Sequence, residues 1–449
     1  MSIPSWLLSL LILAGFLSPH PTWGQTRPGD LLQGPNDPGF QADFEKALLT
    51  ENKDLSDQSC IKKMPPKTFK DMKDLIDSRQ LTIGVVDLSE KGKPKLASYH
   101  AGTAFCAASI PKIAIIASMA PAYNEKLVDI ESLPERGLKD RYIRIADLQR
   151  YLYMDEMRAM AVLSRNSNTA DVAEKIQGAA WEDAVVGKSQ CYINERVRDM
   201  GISEDLNPGT APQSGGDQDP FAKVLYLGKS YRPNCDATKG KELKQLSPRF
   251  CHCGGPVWNP GYIFPGGGLG AGTQVASSMG ILSFYTALEH DQVKDPQTSD
   301  LIRRVMNYPC EIARNKANYN RFVKGVCEPN PAAKPEDKST PSNIYRKSGS
   351  FHVPLGGDRK RHCYGDSALI EHKNGTKYAV TAICNDLRLT ANPAKGRPKD
   401  IPSRCASDDA SSPQMMEYIS NRIDCLMKAR GSGHKPKSAP SGKASSGTS

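Results

Sequence analysis

Residues Ile113 to Met119 read IAIIASM, apolar around the whole circumference of a helix. A helix with no polar face has to be buried on every side. The sequence therefore predicts a domain large enough to wrap one helix completely. The chain has the length for this, with 449 residues of which 39% are hydrophobic and 24% charged. That balance is ordinary for a globular protein with a substantial core, as one large domain or as two or three average ones. No stretch after the first 24 residues approaches the ~18 apolar residues of a membrane span, so none is expected in the mature chain.

Around this helix the hydrophobic period switches between helix and strand. Lys67 to Gln80 carries Phe69, Met72, Leu75 and Ile76 on one face and predicts an amphipathic helix. Leu81 to Leu88 (LTIGVVDL) reads as a strand. The charged turn Ser89 to Lys95 then leads to a short strand at Leu96 to Tyr99, so the pair predicts a hairpin. Helical spacing continues through Ile145 to Leu163, Thr169 to Ile176 and Val275 to Met306. Three strands are expected at Ile344 to Ser350, Gly365 to His372 and Lys377 to Cys384, with a closing helix at Met415 to Met427.

Three segments and the tail break the pattern. Residues 25–66 are polar and rich in Gly and Pro, reading as an irregular lead-in anchored by Cys60. Residues 203–270 read as a loop-rich insertion interrupted by Asn207-Pro208-Gly209, Gly215-Gly216 and Gly266-Gly267-Gly268. A second insertion is expected at 308–343, irregular from Cys310 to Ser342. Residues 431–449, mostly Ser, Gly, Lys and Pro, read as a disordered tail. No internal repeat is evident. The expected fold is α+β, with strands from both ends of the chain in one antiparallel sheet flanked by helices. The central helices form an all-helical lobe, and a cleft lies between lobe and sheet. The domain would run over 67–430.

Trp6 to Leu17 (WLLSLLILAGFL) is too short to span a bilayer and has the length of a signal-peptide core, with Pro19, Pro21 and Gly24 behind it. No Lys or Arg precedes it, yet residues 1–24 still read as a signal peptide and the protein as secreted or periplasmic. The 12 cysteines, spread from Cys60 to Cys425, fit an oxidising compartment. One local pairing is expected, Cys310 with Cys327. Cys251-His252-Cys253, with Cys235 upstream, permits a zinc site, but no second well-spaced pair accompanies it and disulfides are favoured. The net charge of +10 suits contact with anionic surfaces such as cell-wall polymers. No nucleic-acid motif accompanies it.

Three motifs carry chemistry. Ser109-Ile110-Pro111-Lys112 places a hydroxyl at the start of the apolar helix and an amine one turn on. Backbone N–H groups at that end point toward an attacked carbonyl, and Pro111 is tolerated in a first turn. A lysine kept partly neutral by such surroundings can take the serine proton. The same spacing recurs at Ser59 to Lys62 and Ser432 to Lys435, but neither opens an apolar helix. Lys347-Ser348-Gly349 is the only K-[ST]-G in the chain. On an edge strand Lys347 can hold a substrate carboxylate, and Gly349 permits close approach of a substrate backbone. The N–H of Ser350, with that of Ser109, can form an oxyanion hole. Ser164-Arg165-Asn166 is the only S-x-N. Its hydroxyl can pass a proton to a leaving nitrogen and its amide can hold a substrate amide; an equally weighted reading is a helix cap before Thr169.

In this chain order the three motifs resemble the S-x-x-K, S-D-N and K-T-G set of the class A β-lactamase-like serine hydrolases. The likeness covers most of residues 67–430 and includes Phe105 four residues before Ser109. The resemblance implies the two-lobed α+β fold, attack by Ser109 and an acyl-enzyme. It also implies Lys112 as activating base, Ser164 as proton shuttle and Lys347 and Ser348 as carboxylate binders. Two departures stand out. Arg165 occupies the usual Asp position, and Asn166-Ser167-Asn168-Thr169-Ala170 permits a second register in which Asn166 replaces the shuttle serine. Glu204-Asp205-Leu206-Asn207 is one residue short of the deacylating E-x-x-x-N pattern, and a surface carboxylate is the favoured reading of Glu204.

The expected function is therefore hydrolysis of an amide or ester, such as a β-lactam, in a small-molecule or peptide-like substrate, without metal or organic cofactor. The alternatives are a D-alanyl-D-alanine-type peptidase and a catalytically silent binding protein on the same fold.

Overall fold

The structure is a computed structural model. It describes residues 37–56, 59–129 except 103, 152–165, scattered positions from 168 to 196, 275–313 except 294, 321–354, 360–385 and 411–433, with Leu32 and Cys405. The expected signal peptide, Asn166, Glu204, the 203–270 insertion, the Cys235, Cys251, His252 and Cys253 cluster and the tail beyond 433 lie outside those residues.

The elements run α1 (Pro38–Leu49), α2 (Pro66–Asp77), β1 (Leu81–Asp87), β2 (Lys95–Tyr99), β3 (Ala104–Cys106), a 3₁₀ turn at Ile110–Lys112, α3 (Ile113–Asn124) and α4 (Met154–Ala161). They continue with β4 (Val275–Ser277), α5 (Ser278–Glu289), α6 (Pro296–Met306), α7 (Cys310–Ala313), α8 (Phe322–Cys327), β5 (Asn343–Pro354), β6 (Lys360–Glu371), β7 (Lys377–Asn385) and α9 (Ser411–Gly433). Strands β2-β1-β7-β6-β5 form one antiparallel sheet in that order, and β3 pairs with β4 in a small second sheet.

Both faces of the large sheet are buried, and the two-residue alternation of strand side chains sorts them cleanly. Leu81, Ile83 and Val85 of β1, with Tyr378, Val380 and Ala382 of β7, join a core with Phe40, Phe44, Met72, Leu75, Ile419 and Ile423 of α1, α2 and α9. Val86, Ala379, Ile383 and Leu369 face the other way, into a core with Ile113, Ile116, Ile281, Leu282, Phe284 and Ile302 of α3, α5 and α6. Helix α3 is buried from Ile113 through Ala122, as its composition requires. Met157 and Met160 of α4 and the described positions Val172, Ala173, Ile176, Tyr192 and Ile193 extend that core into a helical layer.

Two expectations need correction. The lead-in is not irregular: α1 occupies Pro38–Leu49, started by Asp37, whose carboxylate accepts the Phe40 N–H at 3.1 Å, with Pro38 in the first turn. Its far end is held by the buried Arg422 of α9, whose Nη1 donates to the carbonyls of Ala47, Leu48 and Thr50 at 2.8–3.1 Å. The segment Cys310 to Ser342 likewise contains α7, α8 and a 3₁₀ turn at Pro335–Lys338.

Disulfides join Cys310 to Cys327, as expected, and also Cys60 to Cys425 and Cys384 to Cys405. Among the described residues no helix is long and apolar enough to cross a membrane.

Candidate active site

Strand β5 ends the sheet order, so among the described residues one edge of it has no strand partner. The turn leading into α3 lies over the sheet face that β5 and β6 share at this end. A methyl group on Gly349 would sit 2.5 Å from the Ala107 carbonyl oxygen, 2.7 Å from the Ser109 nitrogen and 3.1 Å from the Ala108 Cβ. Gly365, the register partner of Gly349, has the same relation to the side chain of Ile110, whose Cδ1 would be 2.9 Å from an added methyl. Two glycines side by side thus make the smooth seat on which residues 107–110 rest. The sequence assigned the bare Gly349 to substrate approach; its nearest visitor is the chain's own backbone.

The turn is tight. Ile110 N donates to Ala107 O at 3.0 Å and Lys112 N to Ser109 O at 3.3 Å. Ala108 is held at φ 51°, in the left-handed region that a residue with a Cβ seldom occupies. Ser109 is half-buried, and no hydrogen bond joins its hydroxyl to another described residue. Lys112 is buried at 3% exposure, and burial pushes its amine down to about 7.

The second anchor lies three residues beyond the end of α4. Ser164 is also left-handed, at φ 57°. Arg165 N donates to Ala159 O at 3.1 Å, and the Arg165 carbonyl accepts from both N and Oγ1 of Thr169, which fixes the backbone around it. Two lysines converge on this serine. Lys112 Nζ donates to the Ser164 carbonyl at 2.9 Å, and Lys347 Nζ donates to the Ser164 hydroxyl at 2.7 Å. Lys347 Nζ also donates to its neighbour's carbonyl, Ser348 O, at 2.9 Å.

Lys347 is fully buried, and its amine is held well below the ordinary lysine range, first by burial and then by the charges of Lys112, Arg346 and Arg321, with Asp366 opposing. Its main chain is fixed from the neighbouring strand, since Ser367 Oγ donates to Lys347 O at 2.8 Å and Tyr285 of α5 hydrogen-bonds Ser367.

Of the residues singled out in the sequence, Ser109, Lys112, Ser164, Lys347 and Gly349 meet here. Ser348, which is buried, and Ser350, which is exposed, follow on the same strand. Asn166 lies outside the described residues. Sequence reasoning missed the layer behind β5. Arg346 Nε donates to the Asp366 carboxylate at 2.9 and 3.1 Å and Arg346 Nη2 approaches it at 2.8 Å, while Arg321 lies over the Tyr364 ring at 4.4 Å. The signal was an Asp in the middle of the strand segment GDSALI, where a buried carboxylate needs a partner. Among the described residues no cluster of three or more His, Cys, Asp or Glu could hold a metal ion.

No protein-family model and no curated protein matches the chain. Among solved structures, a β-lactamase from Chitinophaga pinensis DSM 2588 is 10% identical with a TM-score of 0.41, over 80% of this chain and 98% of that one. A representative of class A β-lactamase from Bacteroides cellulosilyticus DSM 14838 is 13% identical with a TM-score of 0.40, over 80% and 98%. PBP-A is 12% identical with a TM-score of 0.38, over 81% and 97%.

Proposed function

We propose that the chain is an exported serine hydrolase of the penicillin-recognising type, acting on an amide or ester through an acyl-Ser109 intermediate. One observation carries the reading. The amines of Lys112 and Lys347 converge on the single residue Ser164, at 2.9 and 2.7 Å, while Gly349 seats the Ser109 backbone. This convergence of residues from three distant parts of the chain supports the reading.

In this reading Ser109 Oγ bonds to the substrate carbonyl carbon and its proton passes to the neutral amine of Lys112. A lysine poised at about 7 is half in the base form at neutral pH. The oxyanion is held by the N–H groups of Ser109 and Ser350. The bond to the leaving nitrogen or oxygen breaks as Ser164 supplies its hydroxyl proton and is reprotonated from the lysine pair. Lys347 and Ser348 hold an anionic group of the substrate, and Asn166 holds its amide. Water then releases the acid and restores Ser109. Export is supported by the signal-like start and by the three disulfides.

The test is intact mass of the mature protein during exposure to benzylpenicillin, beside Ser109→Ala. A penicilloyl adduct on the wild type and none on the variant is expected, and the adduct's lifetime separates a hydrolase from a trapped peptidase. An adduct that survives Ser109→Ala, or neither adduct nor turnover, overturns the proposal.

A further inference from the structure

The front of β5 presents Lys347 to the site, and its back is a layer of charge that the proposed chemistry does not use. Cross-strand partners share a face of the sheet. Lys347 pairs with Ser367, which Tyr285 of α5 touches, whereas Ser348 pairs with Asp366 on the opposite face. Arg346 lies on that opposite face too, paired with Asp366, and Phe322 N at the start of α8 donates to the same carboxylate at 3.2 Å. Ser367 N donates to it at 3.0 Å. Arg346, Asp366 and Lys347 are all essentially buried, and Arg321 is 8% exposed.

The charged groups bearing on Lys347 are therefore Lys112 from the turn before α3, Arg346 from β5, Arg321 from the start of α8 and Asp366 from β6. Asp366 is the carboxylate among these groups, facing two guanidinium charges and the amine of Lys112. In a low-dielectric setting, like charges drive a proton off an amine and an opposite charge retains it.

We propose that Asp366 is a positioning residue for this site: its carboxylate pins the Arg346–Lys347–Ser348 segment of the edge strand and offsets the guanidinium charge behind it, so that Lys347 keeps the proton with which it holds an anionic substrate group. The inference rests on the function proposed above. Removing Asp366 takes away the carboxylate that opposes the charge of Arg346 and Arg321 on Lys347, and Lys347 then loses its proton at lower pH.

The test follows Lys347 directly, in the full chain labelled with ¹³C at lysine Cε, its resonance assigned by its absence from Lys347→Arg. Asp366→Asn is expected to lower the Lys347 titration midpoint by about one pH unit or more, the scale of a lost close charge partner. Asp366→Glu is expected to restore it. Acylation by benzylpenicillin should follow, with the basic limb of its rate displaced by the same amount and the rate on that limb down about tenfold.

Should Asp366→Asn fail to fold, Arg346→Met and the double variant Arg346→Met/Asp366→Asn, which leaves neither partner of the ion pair alone, provide the same comparison. The single change raises the midpoint and the double lowers it again, which a purely structural role would not do. An unmoved midpoint in a protein that benzylpenicillin still acylates overturns the inference and leaves the function standing. A midpoint that moves in a protein that is never acylated supports the charge role and overturns the function.

Discussion

Replacing Gly349 by alanine puts a methyl group where the turn carrying Ser109 already sits. Ordinary non-bonded contact with carbon begins near 3.4 Å, and the new atom would stand 2.5 Å from Ala107 O and 2.7 Å from Ser109 N. The turn or the strand must yield by the difference, about 0.7–0.9 Å. Neither can do so by rotating a side chain, because both obstacles are backbone atoms. The strand is locked by its ladder to β6, and the turn by the hydrogen bonds at Ile110 and Lys112.

Overpacking of this kind costs about 1–3 kcal/mol of stability. Its effect on rate is larger, since a displacement of about 1 Å at a reacting group is worth roughly 10²-fold. Gly349→Ala should therefore fold, melt a few degrees lower and acylate with benzylpenicillin about a hundredfold more slowly by stopped-flow or intact mass. Gly102→Ala is the control, with nothing within 4 Å of its added methyl. A Gly349→Ala protein that acylates at the wild-type rate would refute the seat argued for Ser109.

Two further outcomes follow from the same geometry. Lys112→Met should abolish acylation and yet stabilise the protein: a lysine lowered to about 7 by burial binds its proton less readily folded than unfolded, so its burial penalty is complete below pH 7 and is relieved as pH rises from about 7 to 10.5. The gain in melting temperature should thus be greatest at pH 6 or below and fade by pH 10, on the order of a few kcal/mol at most; equal gain at both pH values would contradict the assigned cause. Ser164→Gly should relieve the left-handed backbone by about 1 kcal/mol while removing the hydroxyl that Lys347 holds. It should raise the melting temperature and lower the acylation rate by about 10²-fold or more, and a rate unchanged would remove Ser164 from the proton path.

Much of this arrangement is legible in the sequence, and what is not has identifiable causes. The alternation in LTIGVVDL and the all-round apolarity of IAIIASM are local signals of burial, and β1 and α3 fall where those signals lie. Helix α1 was hidden by its Gly- and Pro-rich surroundings, although Asp37-Pro38 is a helix start and Phe40, Phe44, Ala47 and Leu48 keep the helical period.

The site was legible as residue types but not as geometry. Nothing in the order Ser109, Ser164, Lys347 says that both lysines reach one serine, because that depends on how the edge strand meets the turn. The pairing of Arg346 with Asp366 depends on the register of β5 against β6, which a one-residue slip would destroy. Backbone conformation at Ala108 and Ser164 leaves no trace in composition, since neither residue is a glycine.

The sheet order carries a consequence for how this chain acquires its shape. Strand β1 pairs with β7, so Leu81 meets Cys384, and Cys60 is bonded to Cys425 across 365 residues. Contacts so far apart in sequence form slowly, because a very long loop must close before they repay its entropy. The early strands have no sheet to join until nearly the whole chain has been made, and a fragment ending before β7 would hold the β1–β2 and β5–β6 pairs without the strand that joins them, each pair marginal by itself. Closure entropy rises only with the logarithm of loop length, about 0.6 kcal/mol for each doubling. The excursion between β2 and β5 can therefore be lengthened with little thermodynamic effect, while the register at Lys347 and Gly349 stays fixed by strands at either end.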